Sequence, residues 1–354
     1  MIAVFAQISG VLVLWKLDRL TPFCALILIA CVYFMVSTVG LTKLLPKFSN
    51  DEETDSLSEM FEIFKKYCAP LVAYNLFSFA YTFLDPWMLQ KFSGAHEQSY
   101  FSIANQFSML SLIATSSMVS IFWKEVAEAH GLGDHEKIGR IYQKASRLLM
   151  FAAGTFSGFC IPWAPWIIRT FLGLDFEGAI LPLTIMFLYP IHQTLGQLNG
   201  VVAFATHRTR LSSAIGISSM ILSTVAAYFL LAPKTNLLPG FQMGAIGLSL
   251  RIVIVNVLIT LLLRWILTRR YSEIVLDLKH QAFTVMAPLS LGYALYSIPH
   301  FHLLNLKPSM ISLVLTGVLY VGLVLVTVLK FPFIVGATPQ DRLNLLQKLR
   351  IRRL

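Results

Sequence analysis

Apolar segments of about twenty residues recur along the chain, separated by short polar connections. A helix needs about 20 apolar residues to cross the roughly 30 Å hydrocarbon core of a bilayer. Hydrophobic residues make up 56% of the chain and charged residues 13%, whereas soluble domains have about 45–50% and about 25%. The sequence therefore predicts an all-α, polytopic integral membrane bundle with about ten transmembrane helices, at residues 1–15, 22–45, 67–90, 99–122, 146–168, 179–205, 209–232, 243–263, 282–299 and 308–329.

The distribution of positive charge gives an orientation. A net charge of +10 alone would suit a nucleic-acid partner. However, most of the 28 Lys and Arg residues fall in every second connection, as the positive-inside rule requires of cytoplasmic loops. We therefore expect both termini in the cytoplasm, membrane lipid as a partner of the basic connections, and no nucleic-acid partner.

Polar residues share single helical faces in three segments, since residues three, four and seven apart lie on one face. Such a face either walls a hydrated cavity or supports helix–helix contacts. His192 is either a buried core histidine or a proton relay. The candidate substrate-binding residues on these faces are Asn75 and Asp85 in the third segment, Asn105 and Gln106 in the fourth, and His192, Gln193 and Asn199 in the sixth.

The eighth segment carries one cation, Arg251, inside an otherwise apolar run. A cation at the bilayer centre costs at least about 2.5 kcal/mol. Asp85 is expected in the same outer half of the bundle, which would allow the two side chains to pair. The alternatives for Arg251 are snorkelling toward water and binding of an anionic substrate.

Catalytic and metal-binding patterns are not evident in the sequence. The four cysteines lack C-x-x-C spacing, and His300 and His302 stand without a third ligand in view. The predicted membrane interior offers too few acidic groups for general acid and base chemistry. We expect no cofactor, no metal and no enzymatic activity.

Residues 85–110 read DPWMLQKFSGAHEQSYFSIANQFSML. This run resembles the D-x-x-x-L-x-x-F-x-G-x-x-x-x-x-Y-x-x-A signature of polysaccharide flippases of the Wzx type, within the multidrug/oligosaccharidyl-lipid/polysaccharide exporter superfamily. The run GAIGLSLRIVIVN at residues 244–256 is also similar to that family, and the resemblance covers about residues 65–270. The residues that match the signature are Asp85, Leu89, Phe92, Gly94, Tyr100 and Ala104.

The resemblance implies two six-helix lobes around a central cavity, in some members with two extra helices. By that comparison about four N-terminal helices are missing. The implied division is a two-helix remnant of the N-terminal lobe at residues 1–46, an acidic cytoplasmic linker at 47–66, a C-terminal six-helix lobe at 67–268, two additional helices at 282–329 and a basic cytoplasmic tail at 330–354.

The resemblance also implies a function, namely flipping of an undecaprenyl-diphosphate-linked oligosaccharide across the bacterial inner membrane for O-antigen or other surface polysaccharide. Arg251 would neutralise the diphosphate within a cationic cavity, and other proteins of polysaccharide assembly would be partners. Three alternatives stay open. They are a drug exporter on the same fold, a membrane polymerase or glycosyltransferase, and a fragment that does not transport.

Overall fold

The computed structural model describes residues 2–17, 21–48, 57–270, 278–297 and 309–336. The chain forms two compact units, Met1–Lys65 and Lys66–Leu354. In the first unit, α1 (Ile2–Lys16) packs against α2 (Pro22–Phe48). Gly10 lies against the side chain of Leu28, where an added side chain would clash. Small residues of this kind let membrane helices approach closely.

The second unit contains most of the helices. It is built from α3 (Leu57–Met109, which begins in the first unit), α4 (Leu112–Gly131), α5 (His135–Phe171), α6 (Ile180–Met186), α7 (Tyr189–Ala205), α8 (Thr209–Leu231), α9 (Gly244–Arg270), α10 (Leu278–Ser297) and α11 (Met310–Lys330), with 3₁₀ turns η1 (Leu174–Ala179) and η2 (Pro332–Val335).

Helix α5 is central to this unit and packs against α4, α6, α7 and α10. Its contact with α10 is close because Gly158 and Gly292 lie at the crossing, and a side chain on either would meet the other helix's backbone. Helix α9 packs against α6, α7 and α8. The α5 N-terminus is capped by Asp134, whose carboxylate accepts a hydrogen bond from the Lys137 backbone N–H at 2.8 Å.

Two breaks shape the predicted third and fourth segments. Helix α3 kinks at Gly94, which has a φ of 89° that favours glycine. The fourth segment was predicted as one span over residues 99–122, but the structure interrupts it between α3 and α4. There the hydroxyl groups of Ser108 and Ser111 each donate to the carbonyl oxygen three residues earlier, both at 2.7 Å. These side-chain bonds compete with the helical ladder and allow the break.

The membrane character of the fold is clear within the described residues, which contain helices and turns but no strand. Four of their helices, α5, α8, α9 and α11, are long and apolar enough to cross a membrane. A fifth span results if η1–α6 and α7 count as one, although they bend by 42°. At this bend the Ser157 hydroxyl donates to the Phe187 carbonyl oxygen at 2.5 Å, which satisfies a group that the helix leaves unpaired. The prediction of an all-α membrane bundle is confirmed.

Several predictions fall outside the described residues. These are residues 49–56 of the acidic linker, the loop with His300 and His302, and the tail from residue 337 onward. Residues 57–66 of the predicted linker are helical and form the first part of α3. The division into lobes, linker and extra helices stays a prediction.

Candidate functional site

A cavity of about 500 Å³ lies among α3, α4, α7, α8 and α9. Its lining combines apolar side chains with hydroxyl, amide and imidazole groups. None of the described lining residues carries a carboxylate. The polar groups come mainly from Tyr74, Gln193, Gln197, Ser213, Ser219 and Asn256. We call this space the polar cavity.

Glycines on α7 and α8 keep the polar cavity open. Gly196 and Gly200 lie on the lining face of α7, where side chains would take up volume. Gly216 on α8 lies directly against the ring of Tyr74, so that Tyr74 packs where any Cβ would stand. The polar helical faces predicted from the sequence therefore include true cavity walls, because small and polar residues alternate on facing helices.

A buried network forms around Arg251, which is 1% exposed. Its Nη2 donates to the carboxylate of Asp85 on α3, so the structure shows the pairing that the sequence allowed. Its Nη1 donates to the Tyr81 hydroxyl and, at 2.6 Å, to the Ser223 hydroxyl of α8. The Tyr81 and Ser223 hydroxyls also lie 3.0 Å apart. The guanidinium thus holds α3, α8 and α9 together.

The position of this network follows from helical spacing. On α8, Ser219 lines the cavity and Ser223 lies about 6 Å further along. On α9, Asn256 lines the cavity and Arg251 lies about 7.5 Å away toward the same end. Tyr81 likewise lies past Tyr74, which lines the cavity on α3. Because the displacement has the same direction on all three helices, the network lies beyond one end of the cavity lining. We call it the Arg251 network.

A second buried arginine lies beyond the opposite end of the cavity. Arg264 is 1% exposed, and its guanidinium lies 5.5 Å from the ring centroid of Tyr142 on α5. The Tyr142 hydroxyl donates to Asn199 Oδ1 at 2.6 Å, and Asn199 Nδ2 donates to the Thr260 carbonyl oxygen at 3.1 Å. The predicted eighth segment ended at residue 263 and left Arg264 in the connection after it, but the structure buries Arg264 within α9. Apolar residues on both sides of Arg264, in LLLRWIL, were the available signal.

The predicted site residues separate into three groups. His192 and Gln193 line the polar cavity. Asp85 and Arg251 form an ion pair beyond one end of the cavity lining, and Asn199 is fully buried in the hydrogen bonds just described. The remaining three do not line the cavity, since Asn75 and Gln106 are exposed and Asn105 is half-buried. Sequence reasoning did not single out Asn256, Ser213 and Ser219 as candidates.

The connection between α4 and α5 and the connection between α7 and α8 lie close together. There the His130 ring of α4 lies 6.2 Å from the His207 ring. Burial lowers the pKa of His130, and the nearby His207, His135 and Arg208 lower it further. Among the described residues, no group of three His, Cys, Asp or Glu side chains has the arrangement of a metal site.

Comparison with known proteins supports the fold. No protein-family model matches the chain, and no curated protein matches it. Among solved structures, the chain is similar to a crystal structure of a MATE proline-to-alanine mutant, with a TM-score of 0.63 and 15% sequence identity. The match covers 77% of this chain, and the chain spans 61% of that protein's length. The chain therefore has a MATE-like helical membrane transporter fold, and at this identity the likeness concerns the fold alone.

Proposed function

We propose that the protein flips an undecaprenyl-diphosphate-linked oligosaccharide from the inner to the outer leaflet of the bacterial inner membrane, for surface polysaccharide synthesis. The observation that carries this proposal is the polar cavity. Amide and hydroxyl groups such as those of Gln193, Gln197, Ser219 and Asn256 can exchange hydrogen bonds with sugar hydroxyls. Most of the substrate's hydrocarbon stays in the bilayer, and no covalent chemistry is needed.

Arg251 supplies the cationic element of the proposal. In this conformation its charge is neutralised by Asp85, and its hydrogen bonds join α3, α8 and α9 at one end of the cavity. Opening that end requires Arg251 to leave Asp85, and the diphosphate then replaces the carboxylate as its partner. Charge-assisted bonds of guanidinium to phosphate are strong in a low-dielectric site. Such an exchange gives the two states that alternating access needs.

The basic connections favour an orientation with the Arg264 end toward the cytoplasm. In that orientation the Arg251 network lies toward the outer leaflet and both termini are cytoplasmic. Contacts with other proteins of polysaccharide assembly belong to the same proposal.

Export of a small drug-like molecule is the second candidate, because the matched structure is a MATE protein. A cationic drug favours carboxylates in the binding cavity, yet the described lining residues carry none. The only acidic group of the Arg251 network, Asp85, is already paired. A neutral or anionic drug therefore fits this cavity better than a cationic one.

The test is flipping of a fluorescent lipid-diphosphate glycan by the purified chain in proteoliposomes. We expect Gln197→Leu and Asn256→Leu to slow flipping at least fivefold, since each removes hydrogen-bonding groups from the cavity wall. Ser290→Ala is the matched control, because Ser290 is exposed on α10 and donates only to its own helix, at Ala287 O. No flipping by folded wild-type protein, or flipping indifferent to both cavity variants, would refute the proposal. Efflux of an amphiphilic dye without glycan flipping would favour the drug exporter.

A further inference from the structure

His192 lies in the wall between two cavities. It is 2% exposed and lines both the polar cavity and a second cavity of about 300 Å³. Thr260 of α9 is the other residue that both linings share. Helices α7 and α9 therefore form a thin partition at this level, with His192 as its largest polar side chain.

The second cavity is chemically different from the first. It lies among α5, α7, α9 and α10, and aliphatic and thioether side chains form most of its wall, including Met150, Leu195, Leu261 and Val285. We call it the apolar cavity. A cavity lined in this way stays dry and accepts hydrocarbon. The chain thus places a compartment for hydrogen-bonding groups beside a compartment for hydrocarbon.

The imidazole of His192 has no protein partner for its ring nitrogens. Neither Nδ1 nor Nε2 makes a hydrogen bond with any described residue. The Tyr189 ring packs edge-on against it, with centroids 4.9 Å apart, and fixes the ring without bonding to it. A neutral imidazole offers one donor and one acceptor, and burying them without partners is destabilising. A ligand at the partition would satisfy them.

The geometry points to a binding site for an amphiphile that occupies both cavities, with His192 as the residue that binds the group joining its two parts. The inference rests on the proposed function and deepens it. The sugar would lie in the polar cavity and the first isoprene units in the apolar cavity. In this conformation, with Arg251 still paired with Asp85, the intervening phosphate oxygens would accept the His192 N–H. Thr260 is placed to add a second polar contact.

Photo-crosslinking of the purified full chain in nanodiscs tests this site. The ligand is farnesyl diphosphate with a benzophenone at the end of its chain. We expect crosslinks to map to residues 281–286 of α10, on the wall of the apolar cavity. Ala282→Phe fills that cavity and should lower the yield at least fivefold. Ala287→Phe is the control, because it fills a different apolar cavity of about 370 Å³ near Pro288 and Val324 and should leave the yield unchanged.

The affinity for the same ligand tests His192 itself. We expect His192→Leu to raise Kd about fivefold, the loss of one hydrogen bond, and His192→Gln to restore most of the affinity. Crosslinks near Val324, or a yield that Ala282→Phe does not change, would overturn the inference. If the wild-type protein crosslinks as expected but flips no glycan, the proposed function fails and the binding site stands. If it flips glycan without crosslinks at residues 281–286, the site fails and the proposed function stands.

Discussion

Removal of one partner from the Arg251–Asp85 pair tests the interpretation of the Arg251 network most directly. Asp85→Ala leaves the fully buried guanidinium with only the Tyr81 and Ser223 hydroxyls. Breaking one side of a buried pair costs about 3–5 kcal/mol. Because two hydroxyl partners remain, we expect the lower end of that range, about 3 kcal/mol.

The reverse substitution should cost less. In Arg251→Met the replacement is apolar and suits the buried position, and the Asp85 side chain is 12% exposed and can be hydrated. We expect a loss of about 2 kcal/mol. The double variant Asp85→Ala/Arg251→Met removes both charges of the pair. Replacing a whole buried pair by apolar groups often leaves the free energy of unfolding nearly unchanged. We expect it to lose about 1–2 kcal/mol, so that the two single effects do not add.

Equilibrium unfolding in mixed detergent–SDS micelles, followed by circular dichroism, gives these free energies as a double-mutant cycle. Thr82→Ala is the control on the same helix, because Thr82 is exposed and its hydroxyl donates to its own helix at Ser78 O. Its effect should stay within about 0.5 kcal/mol. If Asp85→Ala destabilises no more than this control, or if the coupling energy is below about 0.5 kcal/mol, the pair does not hold α3 to α9.

Three further predictions concern packing, capping and pH. Gly158→Leu should destabilise the protein by about 2 kcal/mol or more in the same unfolding assay, because any side chain there meets the α10 backbone. The control Gly322→Leu on α11 should be neutral, because no atom lies near the Cβ direction of Gly322. Glu97→Ala removes the carboxylate that accepts the Ala245 backbone N–H, in the first turn of α9, at 2.6 Å and should cost about 1 kcal/mol, seen as a lower thermal midpoint. Because the pKa of His130 is lowered by burial and by neighbouring cationic groups, this side chain binds a proton more readily in the unfolded state than in the folded state. The stability that neutral His130 contributes is therefore present above pH about 6.5 and is lost as the pH falls below it. His130→Gln should reduce the drop in thermal midpoint between pH 7.5 and 5.5, and His96→Gln, at an exposed position, should not.

The helices were predictable because membrane-length apolar runs are a strong and purely local signal. Most of the predicted segments coincide with single helices of the structure, but the fourth is interrupted between α3 and α4 and the sixth is divided between α6 and α7. The interruption of the fourth segment was not predicted, because it depends on how Ser108 and Ser111 direct their hydroxyls to the backbone. Composition cannot distinguish such a serine from one that faces a neighbouring helix.

The candidate site was predictable only in part, for a related reason. Helical phase placed Tyr81 and Asp85 on one face, and membrane depth placed Arg251 at a similar level, so their contact could be anticipated. The polar cavity depends instead on which helices are neighbours. Asn256 faces it only because α8 packs against α9 as it does, with Gly216 giving room to Tyr74. That information is long-range and is not contained in the periodicity of any single segment.

The two buried arginines of α9 have different consequences for transport. Arg264 lies over the Tyr142 ring, beside hydrogen bonds that tie α5, α7 and α9 together, whereas Arg251 joins α3, α8 and α9 through a carboxylate that an incoming anion can replace. Arg251 is held mainly by Asp85, whose Oδ1 has no protein partner among the described residues. An incoming anion needs to outcompete one carboxylate at Arg251, and it gains no comparable access at Arg264. If the protein transports an anionic lipid, the part of the cavity that moves is therefore the end near Arg251. The strength of the Arg251–Asp85 pair then sets how tightly the substrate must bind to open that end.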